Sequence, residues 1–197
     1  MTGFQKNLSH LTWDEVFARQ RQRDALLPAW MEALRLNAGD HVLDLGAGPG
    51  FVSLQLAARV GPTGLVYAVD RAPEAIAYLQ ELVDRDHITN IRCIVADVLQ
   101  FSLEEGENDT VSAALLTMMM HHDDEPEALI GHLARLLPTP ARAVVAEFHP
   151  DGPATSGPPR EARIAPEQLQ AWLQKAGLRT LDYARQSEEH YMLVVRH

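Results

Sequence analysis

The sequence predicts an α/β chain built on one open, mostly parallel sheet. Three observations carry this. Apolar strand-like runs alternate with amphipathic segments, a glycine-rich turn joins the first run to its helix, and the last two runs lie only five residues apart. So short a final connection forces a hairpin, hence one antiparallel strand in an otherwise parallel sheet.

Before the sheet, Thr12-Trp13-Asp14-Glu15 has the form of a capping box, with Glu15 reaching back to the cap. Apolar residues then recur at helical spacing, interrupted at Pro28, and predict helices over about 13–26 and 28–36. This prefix, about 1–36, is expected either to pack on the sheet or to cover its site. The first strand, around Val42-Leu43-Asp44-Leu45, runs into Gly46-Ala47-Gly48-Pro49-Gly50 and a helix from Phe51. Leu65–Asp70 reads as the second strand, and Pro73 opens the next helix at the position where proline is best tolerated. Ile91–Val95 is the third strand and Val111–Leu116 the fourth, which exits through Thr117-Met118-Met119-Met120-His121-His122. Pro126 starts a helix, Arg142–Phe148 is the fifth strand, and a Gly/Pro-rich loop leads to a helix from Pro166 that Gly177 stops. The hairpin strands are placed at about 179–185 and 191–196. One domain spans the 197 residues.

Composition removes some functions. The formal net charge of −10 is spread along the chain, against a nucleic-acid partner, whose phosphates call for a basic face. One cysteine, Cys93, excludes an internal disulfide and any chemistry needing a cysteine pair. No apolar run is long enough for a membrane span, and residues 1–9 lack the order of a signal peptide, so a cytoplasmic protein is expected. The oligomeric state is not legible.

The turn selects a ligand type. A dinucleotide fingerprint would need a third glycine at position 51, which is Phe51, and Pro49 removes a donor a pyrophosphate would use. Asp44 beside the turn suits a cationic ligand. Asp44-x-Gly46-x-Gly48-x-Gly50 resembles motif I of the class I S-adenosylmethionine (SAM) dependent methyltransferases, and the whole chain from about Asn37 is similar to a small stand-alone member. The resemblance implies a Rossmann-like seven-stranded sheet of order 3-2-1-4-5-7-6 with strand seven antiparallel and helices on both faces. It implies SAM as cofactor and S-adenosylhomocysteine as product. It also places Asp44, Gly46 and Gly48 at the methionine part, Asp70 at the ribose, Asp97 and Val98 at the adenine and Thr117 toward the methionine end, with Ala47, Gly50 and Arg71 as further cofactor-binding residues.

The acceptor lies in the loops. The Asn/Asp-Pro-Pro-aromatic clamp of amino-methylating nucleic-acid enzymes is absent: its place holds Leu116-Thr117-Met118-Met119. The expected reaction is direct in-line methyl transfer to a small molecule, with a protein acceptor, a non-catalytic SAM-binding regulator and a nicotinamide-dependent oxidoreductase as alternatives. Of nine histidines, His10, His41, His87, His132 and His197 read as surface, while His122, His149 and His190 lie at strand ends on the cofactor edge. Those three are expected to converge beside the transferred methyl, with Tyr191 nearby, as base and acceptor-binding groups. A metal site drawing on Asp123 or Asp124 is the other reading of the cluster, but no H-x-H or H-x-x-x-H spacing supports it and none is assigned. Met118 and Met119 would line the acceptor pocket, and Arg160 and Arg163 would clamp an anionic substrate.

Overall fold

The computed structural model describes residues 11–197. Residues 1–9 and His10 lie outside the described residues. Helix α1 (Trp13–Arg21) and helix α2 (Leu27–Leu34) precede the sheet. Strands β1 (His41–Leu45), β2 (Leu65–Asp70), β3 (Ile91–Val95), β4 (Val111–Thr117) and β5 (Arg142–Phe148) alternate with α3 (Phe51–Val60), α4 (Pro73–Arg85) and α5 (Pro126–Leu136). Helix α6 (Pro166–Lys175), β6 (Arg179–Arg185) and β7 (His190–Arg196) complete the chain.

The seven strands stand in the order β3-β2-β1-β4-β5-β7-β6. β7 runs antiparallel to both neighbours and the remaining pairs are parallel. This is the expected topology. The central strands are buried on both faces, which is why they read as nearly unbroken apolar runs. On one face Leu43, Val69, Leu116, Val145 and Leu193 pack with Leu133 of α5 and Leu169 of α6. On the other, Val42, Leu115, Val144 and Val194 pack with Trp30 of α2 and Leu56 of α3.

The prefix differs in detail from its expected bounds. α1 opens on the predicted Thr12 capping box but ends at Arg21, where the Gln22 N–H turns to the Arg19 and Gln20 carbonyls. A 3-10 turn (Asp24–Leu26) follows, and Pro28 falls in the first turn of α2, where its missing N–H costs nothing. α2 stops two residues early because Arg35 takes the left-handed conformation. His132, expected at the surface, is buried: its Nε2 donates to the Phe101 carbonyl at 2.7 Å and Arg135 bonds its Nδ1.

Candidate active site

All parallel strands point their carboxyl ends at one edge, and the turns there form a cleft of ≈ 260 Å³. Its floor is the glycine turn. Gly46, Gly48 and Gly50 all have positive φ. At Gly48 a Cβ would stand 2.7 Å from Gln20 Nε2, and at Gly50 it would enter the Leu79 side chain. Only glycine lets the chain bend so tightly while both neighbours press on it.

Asp70 closes one side. One carboxylate oxygen accepts from the Gly48 N–H at 2.7 Å and the other from the Ala72 N–H at 2.9 Å. Each oxygen keeps a lone pair for a further donor. Arg71, Asp97 and Val98 continue the wall, with Asp97 fixed by the Leu99 N–H at 2.8 Å. Thr117, Met118, Met119, His122 and Asp123 form the opposite side where β4 ends. The Met119 side chain lies over Gly46, against the space its Cβ would take.

Three glycine-turn residues named from the resemblance stand behind this wall. Asp44 is buried beneath the turn and accepts from Ser53 Oγ at 2.5 Å, tying β1 to the first turn of α3. Burial pushes its pKa up to about 6, partly offset by the Ser53 bond. Ala47 is buried with its carbonyl engaged by Gln20, and Gly50 sits at the start of α3.

The roof is α1, which contributes Trp13, Val16, Arg19 and Gln20, with Arg23 just beyond it. Gln20 bonds the turn twice: its Nε2 donates to the Ala47 carbonyl at 3.1 Å and its Oε1 accepts from the Phe51 N–H at 3.1 Å. That N–H is one of the donors that the start of α3 leaves without an intrahelical partner. Arg23 lines the cleft half-buried, and desolvation there pulls its pKa down to about 10 against the attraction of Glu147 and Asp44. Neither carboxylate is hydrogen-bonded to it. Neither Gln20 nor Arg23 carries a motif, and helical spacing alone could not single them out.

The expected histidine convergence does not occur. His122 is on the cleft wall, but His149 and His190 are not. The reason is strand parity: alternate residues face opposite sides of a sheet. Phe148 pairs with His190 and Glu147 with Tyr191, so His190 lies against Phe148 on one face while His149 meets Tyr191 edge to face on the other. His149 Nδ1 accepts the Asp151 N–H, and His190 Nδ1 meets Ser187 Oγ at 2.9 Å. Tyr191 is fully buried, its hydroxyl donating to the Ile164 carbonyl at 2.9 Å. Arg160 is exposed away from the cleft. Arg163 is a strut: its buried guanidinium meets Glu189 at 2.5 Å and the carbonyls of His149, Ser156 and Pro158.

A different pair stands behind His122. His121 Nδ1 bonds Glu147 Oε2 at 2.7 Å with both side chains buried, and the His121 and His122 ring centroids are 4.0 Å apart. Glu147 also accepts from the Met120 and Phe148 N–H groups. Burial alone pushes its pKa up, but His121 and these donors together hold it below the usual carboxylate range. An acid standing alone in the apolar run Ala143–Phe148 was the sequence signal for it. Among the described residues, no three His, Cys, Asp or Glu side chains gather as one ion's ligands. No described helix is long and apolar enough to cross a membrane.

Residues 42–139 match the model of a family described as a methyltransferase domain. Protein-L-isoaspartate O-methyltransferase of Fervidobacterium nodosum is 30% identical over 102 residues, 52% of this chain and 49% of that protein. The 2-phytyl-1,4-naphtoquinone methyltransferase of Trichormus variabilis is 32% identical over 112 residues, 56% of this chain and 48% of that one. The chain thus spans about half the length of these curated relatives. Among solved structures, a SAM-dependent methyltransferase from Aquifex aeolicus superimposes with a TM-score of 0.81 at 22% identity, covering 94% of this chain and 98% of that one. The likeness at that identity is one of fold.

Proposed function

On the premise that this chain belongs to the class I SAM-dependent methyltransferases, we propose that it transfers the SAM methyl group to a small-molecule acceptor. The observation that carries the reading is the roofed cleft. The family's turn and strand-end acids wall it, and the cover that α1 gives it favours a compact acceptor over a folded protein surface.

The residues fit the cofactor. Asp70 has lone pairs to accept from ribose hydroxyls, and Asp97 and Val98 stand next along the edge where an adenine would lie. Arg23, half-buried at the cleft, supplies one cation for the single carboxylate of the methionine part. When bound, SAM supplies a methyl group on a sulfonium, a strong electrophile that needs no activation by the protein. The chain's work is then alignment and exclusion of water, worth up to roughly 7–11 kcal/mol when a bimolecular step becomes a positioned one. For an acceptor that must lose a proton, His122 is the base on the wall. His121, pinned by Glu147, lies against the His122 ring at a tilt and sets its position.

Two measurements separate the parts of this reading. Asp70→Ala should weaken S-adenosylhomocysteine binding in calorimetry by about 1.5–3 kcal/mol, the value of a hydrogen bond to a charged group. Tighter binding of a nicotinamide dinucleotide than of either adenosyl compound would sink the assignment. His122→Ala should lower kcat roughly 10²–10⁴-fold with S-adenosylhomocysteine affinity unchanged. The acceptor screen sets quinols, phenols and small amines against an isoaspartyl peptide, and turnover of the peptide alone would move the chain to protein methylation.

A further inference from the structure

We propose that a second groove, at the opposite edge of the sheet, binds a small anion carrying a chain of two or more phosphoryl groups. The groove, ≈ 730 Å³, lies between α2 and the strands β5, β7 and β6. Four arginines line it: Arg35, Arg142, Arg179 and Arg196. Arg142 opens β5, Arg196 closes β7 and Arg179 opens β6, and the register pairs Arg142 with Arg196 and Arg196 with Arg179. Three like charges therefore stand directly opposite one another across adjacent strands, an arrangement that destabilises a sheet. Arg35, at the left-handed end of α2, adds a fourth.

No acid pairs with the row: none of the ion pairs among the described residues involves any of the four. Arg142 has only a long bond, 3.4 Å, to the Ala33 carbonyl. Glu32 and Asp182 are at the groove, but the Asp182 carboxylate accepts from the Tyr183 N–H instead. Arg196 Nε is buried and has no hydrogen-bond partner. A buried donor left open costs free energy, and native structures seldom leave one without reason. All this occurs in a chain of net charge −10, where acids to pair with were abundant.

The geometry selects the ligand. Three adjacent strands span two inter-strand spacings, about 9–10 Å, more than one phosphate or carboxylate bridges. Guanidinium forks match phosphoryl oxygens two at a time. Between them the floor is apolar, from Ala33, Leu181, Met192 and Val194, so a carbon-bearing end of the ligand has a surface to cover.

The test is calorimetry of the full chain with sodium tripolyphosphate. The expected result is one-to-one binding that weakens with salt and persists in saturating S-adenosylhomocysteine. Arg142→Met and Arg196→Met should each weaken it roughly tenfold or more, as loss of a bidentate charged pair does, with Arg59→Gln, at an exposed position of α3, as the unchanged control. Tripolyphosphate should raise the melting temperature of the wild type and not that of Arg142→Met. Without ligand, that variant should melt no lower than the wild type, since desolvation and then repulsion by Arg35 and Arg196 lower the Arg142 pKa, so its charge is held at a cost. The proposal falls if millimolar tripolyphosphate gives no heat, if orthophosphate or hexaglutamate binds as tightly, if S-adenosylhomocysteine displaces it, or if both methionine variants bind normally. Should either fail to fold, exposed Arg179→Gln makes the same comparison, and unchanged affinity there overturns the site.

Discussion

Single side chains do unequal work at the two ends of this sheet. Gln20 makes two bonds that hold a helix to a turn, both within reach of the cleft. Gln20→Leu keeps the size but leaves the Phe51 N–H and the Ala47 carbonyl open, so denaturant unfolding should show a loss of about 1–3 kcal/mol. His190 gives a different signature. Burial and the Arg23 charge push its pKa down to about 4, so the folded chain resists a proton that the unfolded chain accepts near 6.5. Its contribution is therefore intact above the ordinary imidazole value and is lost as pH falls from there toward 4. His190→Gln should flatten that acid limb, sparing about 1–2 kcal/mol near pH 5, as followed by urea midpoints across pH. An identical acid slope in the variant would show that other groups set it.

At the level of elements, α1 closes the cleft without belonging to the sheet. Trp30 of α2, by contrast, is fully buried in the core. Removing residues 1–22 should therefore leave a cooperatively folding chain that binds S-adenosylhomocysteine more weakly and turns over little, whereas a deletion past Trp30 should not fold. Full activity in the shorter chain would reduce α1 to packing. The same contrast explains what the sequence revealed. Strand identity and the glycine turn were legible because burial on both faces writes continuous apolar runs, and positive φ writes glycine, whereas the strand order came only with the family resemblance. The edge on which His122, His149 and His190 lie was legible too. Their faces were not, because adjacent residues 148 and 149, or 190 and 191, change side with one step of register. Gln20 and Arg23 were invisible for another reason: Gln20's partners lie 27 or more residues away, and neither side chain leaves a local pattern.

Across the whole molecule, the cleft and the arginine row occupy opposite ends of the same sheet and different strands, β1 to β4 for the one and β5 to β7 for the other. With no shared partner, effects at the two should be independent. The double variant Asp70→Ala/Arg142→Met should show stability changes that add to within about 0.5 kcal/mol, and a larger interaction energy would mean that the sheet relays strain between its ends. The roof has a consequence of another kind. Because Gln20 grips the turn that forms the cleft floor, the seating of α1 and the filling of the cleft are two equilibria sharing one set of atoms. Thermodynamic reciprocity then applies: whatever factor the seated helix adds to ligand affinity, the ligand adds to the seating of the helix. Amide exchange in residues 13–21 becomes a gauge of cofactor occupancy, slowing as the cleft fills.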